Sequence, residues 1–186
     1  MPGNSRPKGA ARPRKEPSPV LTLDKIFQAQ VTLKGVVRET PLVRATGIPT
    51  GCDLYLKPEN LQNTGSFKLR GSGFKIAMLS DEEKARGVIA CSAGNHAQGV
   101  ALAASKYGIK SLICLPDSAP ISKVEATKGY GAEVCLVEGC YDDAYAKALE
   151  LRDEFGYKMC IRDRLRAFSA VFIRCAQMAE KTGGCG

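Results

Sequence analysis

From Gly87 to Phe155 the chain repeats one rhythm: a short apolar run, a turn, then a longer stretch with apolar residues at helical spacing. The apolar runs are 87–91, 110–115 and 132–136. The helical stretches run from Asn95 to Tyr107, Ile121 to Gly129 and Cys140 to Phe155. Short apolar runs without polar alternation predict strands buried on both faces, and helices between them predict the crossovers of a parallel sheet. Upstream, the pattern predicts a helix over Leu23–Lys34, an irregular stretch through Thr40-Pro41-Leu42, a strand over 53–57 and a helix beginning near Lys68. The expected class is α/β, an open parallel sheet with flanking helices.

Composition qualifies the two ends. Prolines at 2, 7, 13, 17 and 19 among basic and small residues predict a disordered basic extension over 1–20, and they break the amphipathic helix that a mitochondrial presequence requires. The formal net charge of +8 would suggest nucleic acid, but residues 1–20 and 158–186 each contribute +4 and residues 21–157 hold sixteen charges of each sign. A nucleic-acid-binding fold carries its basic patch on the folded body, so no nucleic-acid partner is expected. No apolar stretch is long enough to span a membrane, so no membrane partner is expected either.

Eight cysteines raise the question of a disulfide framework. Cys91, Cys114 and Cys135 fall within or at the end of apolar runs, where a thiol serves as a small buried hydrophobe, so a reducing cytoplasm is the expected location. With no Cys-x-x-Cys pair and one histidine, His96, no metal site is expected.

Two runs carry chemistry. In Thr64-Gly65-Ser66-Phe67-Lys68-Leu69-Arg70-Gly71, Ser66 suits the N-cap of the helix that follows, which puts Lys68 in its first turn. The positive end of the helix dipole disfavours an ammonium there and favours the neutral amine that an imine-forming lysine needs. Taken alone, the run reads more readily as a surface lysine on a helix. The second run, Ser92-Ala93-Gly94-Asn95-His96-Ala97-Gln98-Gly99, follows the strand at 87–91, and ligands in open α/β sheets bind at that end of a strand. Gly94 and the helix N-terminus form an anion cradle without nucleotide-loop spacing, which favours a small carboxylate. The plain alternative is a strand-to-helix turn capped by Asn95, with His96 structural.

Together the two runs resemble the tryptophan-synthase-β-like pyridoxal-phosphate enzymes, the fold-type-II group. Lys57-Pro58-Glu59-Asn60-Leu61-Gln62-Asn63-Thr64-Gly65-Ser66-Phe67-Lys68-Leu69-Arg70-Gly71 and Ala90 to Ala101 look like the threonine dehydratase (threonine ammonia-lyase) family. Ala119 to Val124 and Tyr130 to Val134 continue the match, which covers residues 21–157. The resemblance implies the smaller domain of that fold and pyridoxal 5'-phosphate as cofactor. It also implies dehydration and deamination of L-threonine or L-serine to a 2-oxo acid and ammonia, in a homo-oligomeric enzyme acting on a small amino-acid substrate.

By the same resemblance, Lys68 is the catalytic residue that carries the cofactor and moves the Cα proton, Phe67 packs near the ring, and Asn95 contacts the cofactor's phenolic oxygen. Ser92, Ala93, Gly94, Asn95 and His96 hold the substrate carboxylate through backbone amides. Serine racemases of the group place a serine where this chain has Ala93, so alanine favours elimination over racemisation. A serine racemase or serine dehydratase, and a non-catalytic small-molecule-binding module, are the competing readings.

After Tyr157 the resemblance stops. Residues 21–52 are read as a segment that would pack on a large domain, 53–157 as the small α/β domain and 158–186 as a non-native tail, because Met159 to Arg164 resembles a translated sequencing adapter. The family's glycine-rich phosphate cup and most of its large domain are missing from this reading, so the chain by itself is expected to be inactive.

Overall fold

The computed structural model describes residues 22–46 and 53–160. The basic extension at 1–20 and residues 161–186 lie outside the described residues. Six α-helices, one short 3-10 helix (Glu59–Leu61) and six strands occur among those described: α1 (Leu23–Thr32), β1 (Val43–Arg44), β2 (Tyr55–Leu56), α2 (Lys68–Ala77), α3 (Asp81–Arg86) and β3 (Val88–Cys91) come first. They are followed by α4 (Asn95–Lys106), β4 (Ser111–Pro116), α5 (Ile121–Gly129), β5 (Glu133–Val137), α6 (Tyr141–Phe155) and β6 (Lys158–Met159).

The main sheet has the order β5-β4-β3-β6 and every pairing in it is parallel. Period-two alternation in its strands sorts the core into two layers. Val88, Ala90, Ile113 and Leu115 point to one face, where they meet Leu69 and Ile76 of α2, Val100 and Ala101 of α4 and Val124 of α5. Ile89, Cys91 and Cys114 point to the other face and meet Ala144 and Ala148 of α6. Ile89 and Ile113 are fully buried, and each such side chain stabilises the fold by about 1.5–3 kcal/mol through removal from water.

The strands start at tight glycine turns. Gly87 has φ +93, and a side chain there would come within 2.9 Å of the Lys110 carbonyl oxygen and 3.1 Å of the Tyr157 ring, so only glycine lets α3 run directly into β3. On the far side of α2, α1 packs Ala29 and Leu33 against Phe74. Gly73 makes this approach possible, because a Cβ there would lie 2.9 Å from Leu33 Cδ2.

Several expectations need correction. The strand anticipated over 53–57 shrinks to Tyr55–Leu56, which pairs antiparallel with β1 outside the main sheet. Helix α3 has no counterpart in the sequence reading, although Ser80 and Glu83 form a reciprocal capping box that the local sequence encodes. The sheet also continues past the break placed after Tyr157. Lys158 and Met159 pair with Val88 and Ile89, and Cys160 N–H donates to the Ile89 carbonyl at 2.8 Å. An open strand edge offers backbone groups that accept any partner of extended shape, and Met159 adds a buried side chain beside Ile89.

Candidate active site

Lys68 is the first residue of α2, and the cap is Phe67 rather than Ser66. Phe67 already has helical backbone angles, φ −65 and ψ −9, so the helix boundary moves one residue along. Ser66 Oγ still accepts from the Lys68 N–H, at 3.4 Å. The Lys68 side chain is half-buried and its Nζ lies 4.4 Å from the centre of the Phe67 ring, a cation–π distance.

At the second run, Gly94 is the cap of α4 and Asn95 its first residue. Gly94 N–H donates to Ser92 Oγ at 3.3 Å, which folds the turn. A Cβ built on Gly94 would meet nothing within 4 Å, so the turn borders open space. The first helical bond, from Gln98 N–H to the Gly94 carbonyl, is long at 3.5 Å, and a glycine cap brings no side chain to the amides of Asn95, His96 and Ala97. Asn95 is exposed, while Ser92, Ala93 and Gly94 are half-buried.

His96 follows the structural alternative as far as its side chain is concerned. It is 2% exposed and directed into the protein, with Nε2 3.0 Å from the Cys160 carbonyl oxygen. A carbonyl only accepts, so Nε2 carries the proton in this bond.

One close approach brings the two runs together. A Cβ on Gly99, in the second turn of α4, would lie 3.1 Å from the Lys68 carbonyl carbon, the Leu69 nitrogen and Ser72 Oγ. The turn of α2 that begins with Lys68 therefore rests directly on the helix that begins at the cradle.

The sequence reading missed a polar frame around the first run. Arg70 donates from Nε to Glu59 Oε2 at 2.8 Å and from Nη2 to Glu59 Oε1 at 2.7 Å. Thr40 Oγ1 donates to Glu59 Oε1 at 2.6 Å, and Gln62 clasps the Arg38 backbone by accepting from its N–H and donating to its carbonyl. Burial would push the Glu59 carboxyl up, but hydrogen bonds from Arg70 and Thr40, with the Arg70 charge, outweigh it and hold the group below its ordinary range. Both halves of the pair belong to the quoted motif, yet eleven positions separate them and no local pattern links them.

The buried thiols of the main sheet are poor nucleophiles. Burial first, then the neighbouring Cys135 and Cys91, push the Cys114 thiol up to about 12. Burial also raises Cys91 and Cys160. Among the described residues no cluster of His, Cys, Asp and Glu could hold a metal, and no helix is long and apolar enough to cross a membrane.

A parallel sheet with a lysine in the first turn of one helix and an open, glycine-capped helix start beside it is the arrangement that the resemblance to fold-type-II pyridoxal-phosphate enzymes implies for their smaller domain. Residues 33–164 match the model of the pyridoxal-phosphate dependent enzyme family, and the chain belongs to that family. It is 51% identical over 139 residues to an L-threonine ammonia-lyase of Thermotoga maritima, covering 74% of this chain and 35% of that protein. It is 46% identical over 140 residues to a catabolic L-threonine dehydratase of Staphylococcus aureus, covering 74% of this chain and 40% of that protein.

Solved structures agree. Maize serine racemase superposes with a TM-score of 0.70 at 35% identity over 75% of this chain and 43% of that one. The processed threonine deaminase isoform 2 of Solanum lycopersicum gives 0.65 at 35% identity over 80% and 47%. The chain thus spans little more than a third of the length of these curated relatives and under half of these solved chains.

Proposed function

We propose that this chain is the lysine-bearing portion of an L-threonine ammonia-lyase, an enzyme that converts L-threonine to 2-oxobutanoate and ammonia, with L-serine as a second substrate. The observation that carries the reading is the Gly99 contact, which seats the Lys68 turn against the helix that opens at the cradle.

The residues suit the cofactor chemically. An amine beside an aromatic ring fits a flat, aldehyde-bearing ring, and amides that no side chain caps at a glycine-capped helix start fit anionic oxygens. Pyridoxal phosphate, when bound, supplies the electron sink that makes the substrate Cα proton removable. Lys68 Nζ would hold the cofactor until the substrate amine displaces it, and the amine so freed would then take the Cα proton. Phe67 would pack against the ring, and Asn95, exposed at the first position of α4, would bond its phenolic oxygen. The backbone amides from Ser92 to His96 hold the substrate carboxylate. The buried imidazole of His96 stays out of the chemistry and keeps the helix start in place.

The likeness to maize serine racemase supports a second reading, serine racemisation or dehydration on the same site. Ala93 weighs against racemisation, since a methyl group cannot deliver a proton to the opposite face of the substrate. A reducing, cytoplasmic setting is supported by Cys91, Cys114, Cys135, Cys140 and Cys160, all free thiols. Homo-oligomerisation of the complete enzyme belongs to the same proposal.

The test has two parts. Borohydride reduction of the chain mixed with pyridoxal phosphate, followed by peptide mapping, should place the adduct on Lys68 and lose it in Lys68→Ala. A full-length enzyme carrying this segment should form 2-oxobutanoate from L-threonine, and no turnover with either hydroxy amino acid would refute the reading.

A further inference from the structure

Helix α2 starts without a strong cap. Phe67 offers no side-chain hydrogen bond, and the Ser66 contact to the Lys68 N–H is long at 3.4 Å. An uncapped first turn frays, and here that turn begins with the residue whose placement matters most. Contact at Gly99 braces it from the α4 side only.

On the opposite side, Arg70, the third residue of α2, grips Glu59 with two nitrogens in the bidentate geometry that sets both distance and orientation. The side chains of Arg70 and Glu59 are 16% and 12% exposed, so water competes little for either. Arg70 Nη2 also reaches Thr40 Oγ1 and the Arg38 carbonyl, each at 3.2 Å. Lys57 Nζ donates to the Thr40 carbonyl at 2.6 Å. Three separate segments, 38–40, 57–62 and the start of α2, are thereby tied at one point, and the loop from Pro58 to Phe67 that delivers Lys68 is held at both ends.

We propose that Glu59 and Arg70 are positioning residues for Lys68, acting as the missing cap of α2 by fastening its first turn from outside the helix. The inference rests on Lys68 being the cofactor anchor, and it assigns the acid and the arginine of the motif a role in lysine placement beyond stability. Neither residue touches the cofactor in this assignment.

The experiment measures how borohydride-trapped pyridoxal phosphate is distributed over the lysines of the full chain, by peptide mapping, in the parent, Glu59→Gln, Arg70→Met and the double variant. Glu59→Gln is nearly isosteric and keeps the fold testable if Arg70→Met does not fold. We expect Lys68 to lose roughly three- to tenfold of its share in each single variant, the size of one ordinary net hydrogen bond, with the double variant no worse than the singles. Adducts at Lys84 and Lys128, which lie on other helices, should stay constant. Hydrogen exchange should quicken at Leu69 and Gly71 more than in α4.

An unchanged Lys68 share with a lowered melting temperature would show a merely structural pair and overturn the inference. Equal loss at all lysines would overturn it too. Failure of the parent chain to label Lys68 above other lysines would overturn the anchor reading itself, and this inference with it.

Discussion

Gly99 lies so close to Lys68 that a single added methyl group would sit 3.1 Å from the lysine's carbonyl carbon. The neighbours cannot easily yield, since two of the three atoms met are backbone and the third, Ser72 Oγ, is bonded to the Lys68 carbonyl at 2.9 Å. Gly99→Ala should therefore cost about 1–3 kcal/mol by overpacking, offset by about 1 kcal/mol of better helix propensity. The expected net loss appears as a lower urea midpoint. The trapped adduct at Lys68 should fall in the same variant, because the turn that carries the lysine is what must move.

Glu59 makes stability depend on acid. Its folded pKa lies below its ordinary value of 4.5, so the pair with Arg70 contributes fully above that value and is lost as the pH falls through the lower folded value. Above about pH 5 the parent should exceed Glu59→Gln by about 2 kcal/mol. On acidification the two unfolding curves should converge, since protonated Glu59 and glutamine then offer the arginine the same neutral acceptor. Urea titrations at a series of pH values measure the gap directly.

The thiols should react in order of exposure. Cys140 is exposed, Cys135 half-buried and Cys114 fully buried with its thiol near 12. Among the thiols of the described residues, iodoacetamide at neutral pH should modify Cys140 before Cys135 and leave Cys114 and Cys160 untouched until the chain unfolds. Cys114→Ser should cost about 1–3 kcal/mol by burying a hydroxyl beside the core of α6, and Cys114→Ala should cost no more.

Ala93 packs half-buried against the core at the turn into α4. A full-length enzyme with alanine here should form no measurable D-serine from L-serine. Ala93→Ser should introduce it while leaving elimination within about tenfold, the effect expected of one acid/base group of modest efficiency. Chiral chromatography of the quenched reaction distinguishes the two outcomes.

Much of the α/β body was legible because its signals are local. The apolar runs that became β3, β4 and β5 need only their own residues to declare themselves, and so do the helical spacings of α4, α5 and α6. Lys68 and the 92–99 turn stood out for the same reason, each being a short run whose residue types imply a backbone geometry. The capping box at Ser80 and Glu83 was equally local, but a six-residue helix is too short for a periodic pattern to announce it.

The sequence by itself thus determined the alternation of strands and helices from β3 to α6, the parallel class of that sheet and the two runs proposed to bear the chemistry. The tertiary structure decided what those runs touch. It set Gly99 against Lys68, closed Arg70 on Glu59, turned His96 inward to Cys160 and paired Met159 with Ile89. Propensity and periodicity act over a few residues, whereas close packing and buried hydrogen bonds are settled only when distant segments compete for the same space and the same polar partners.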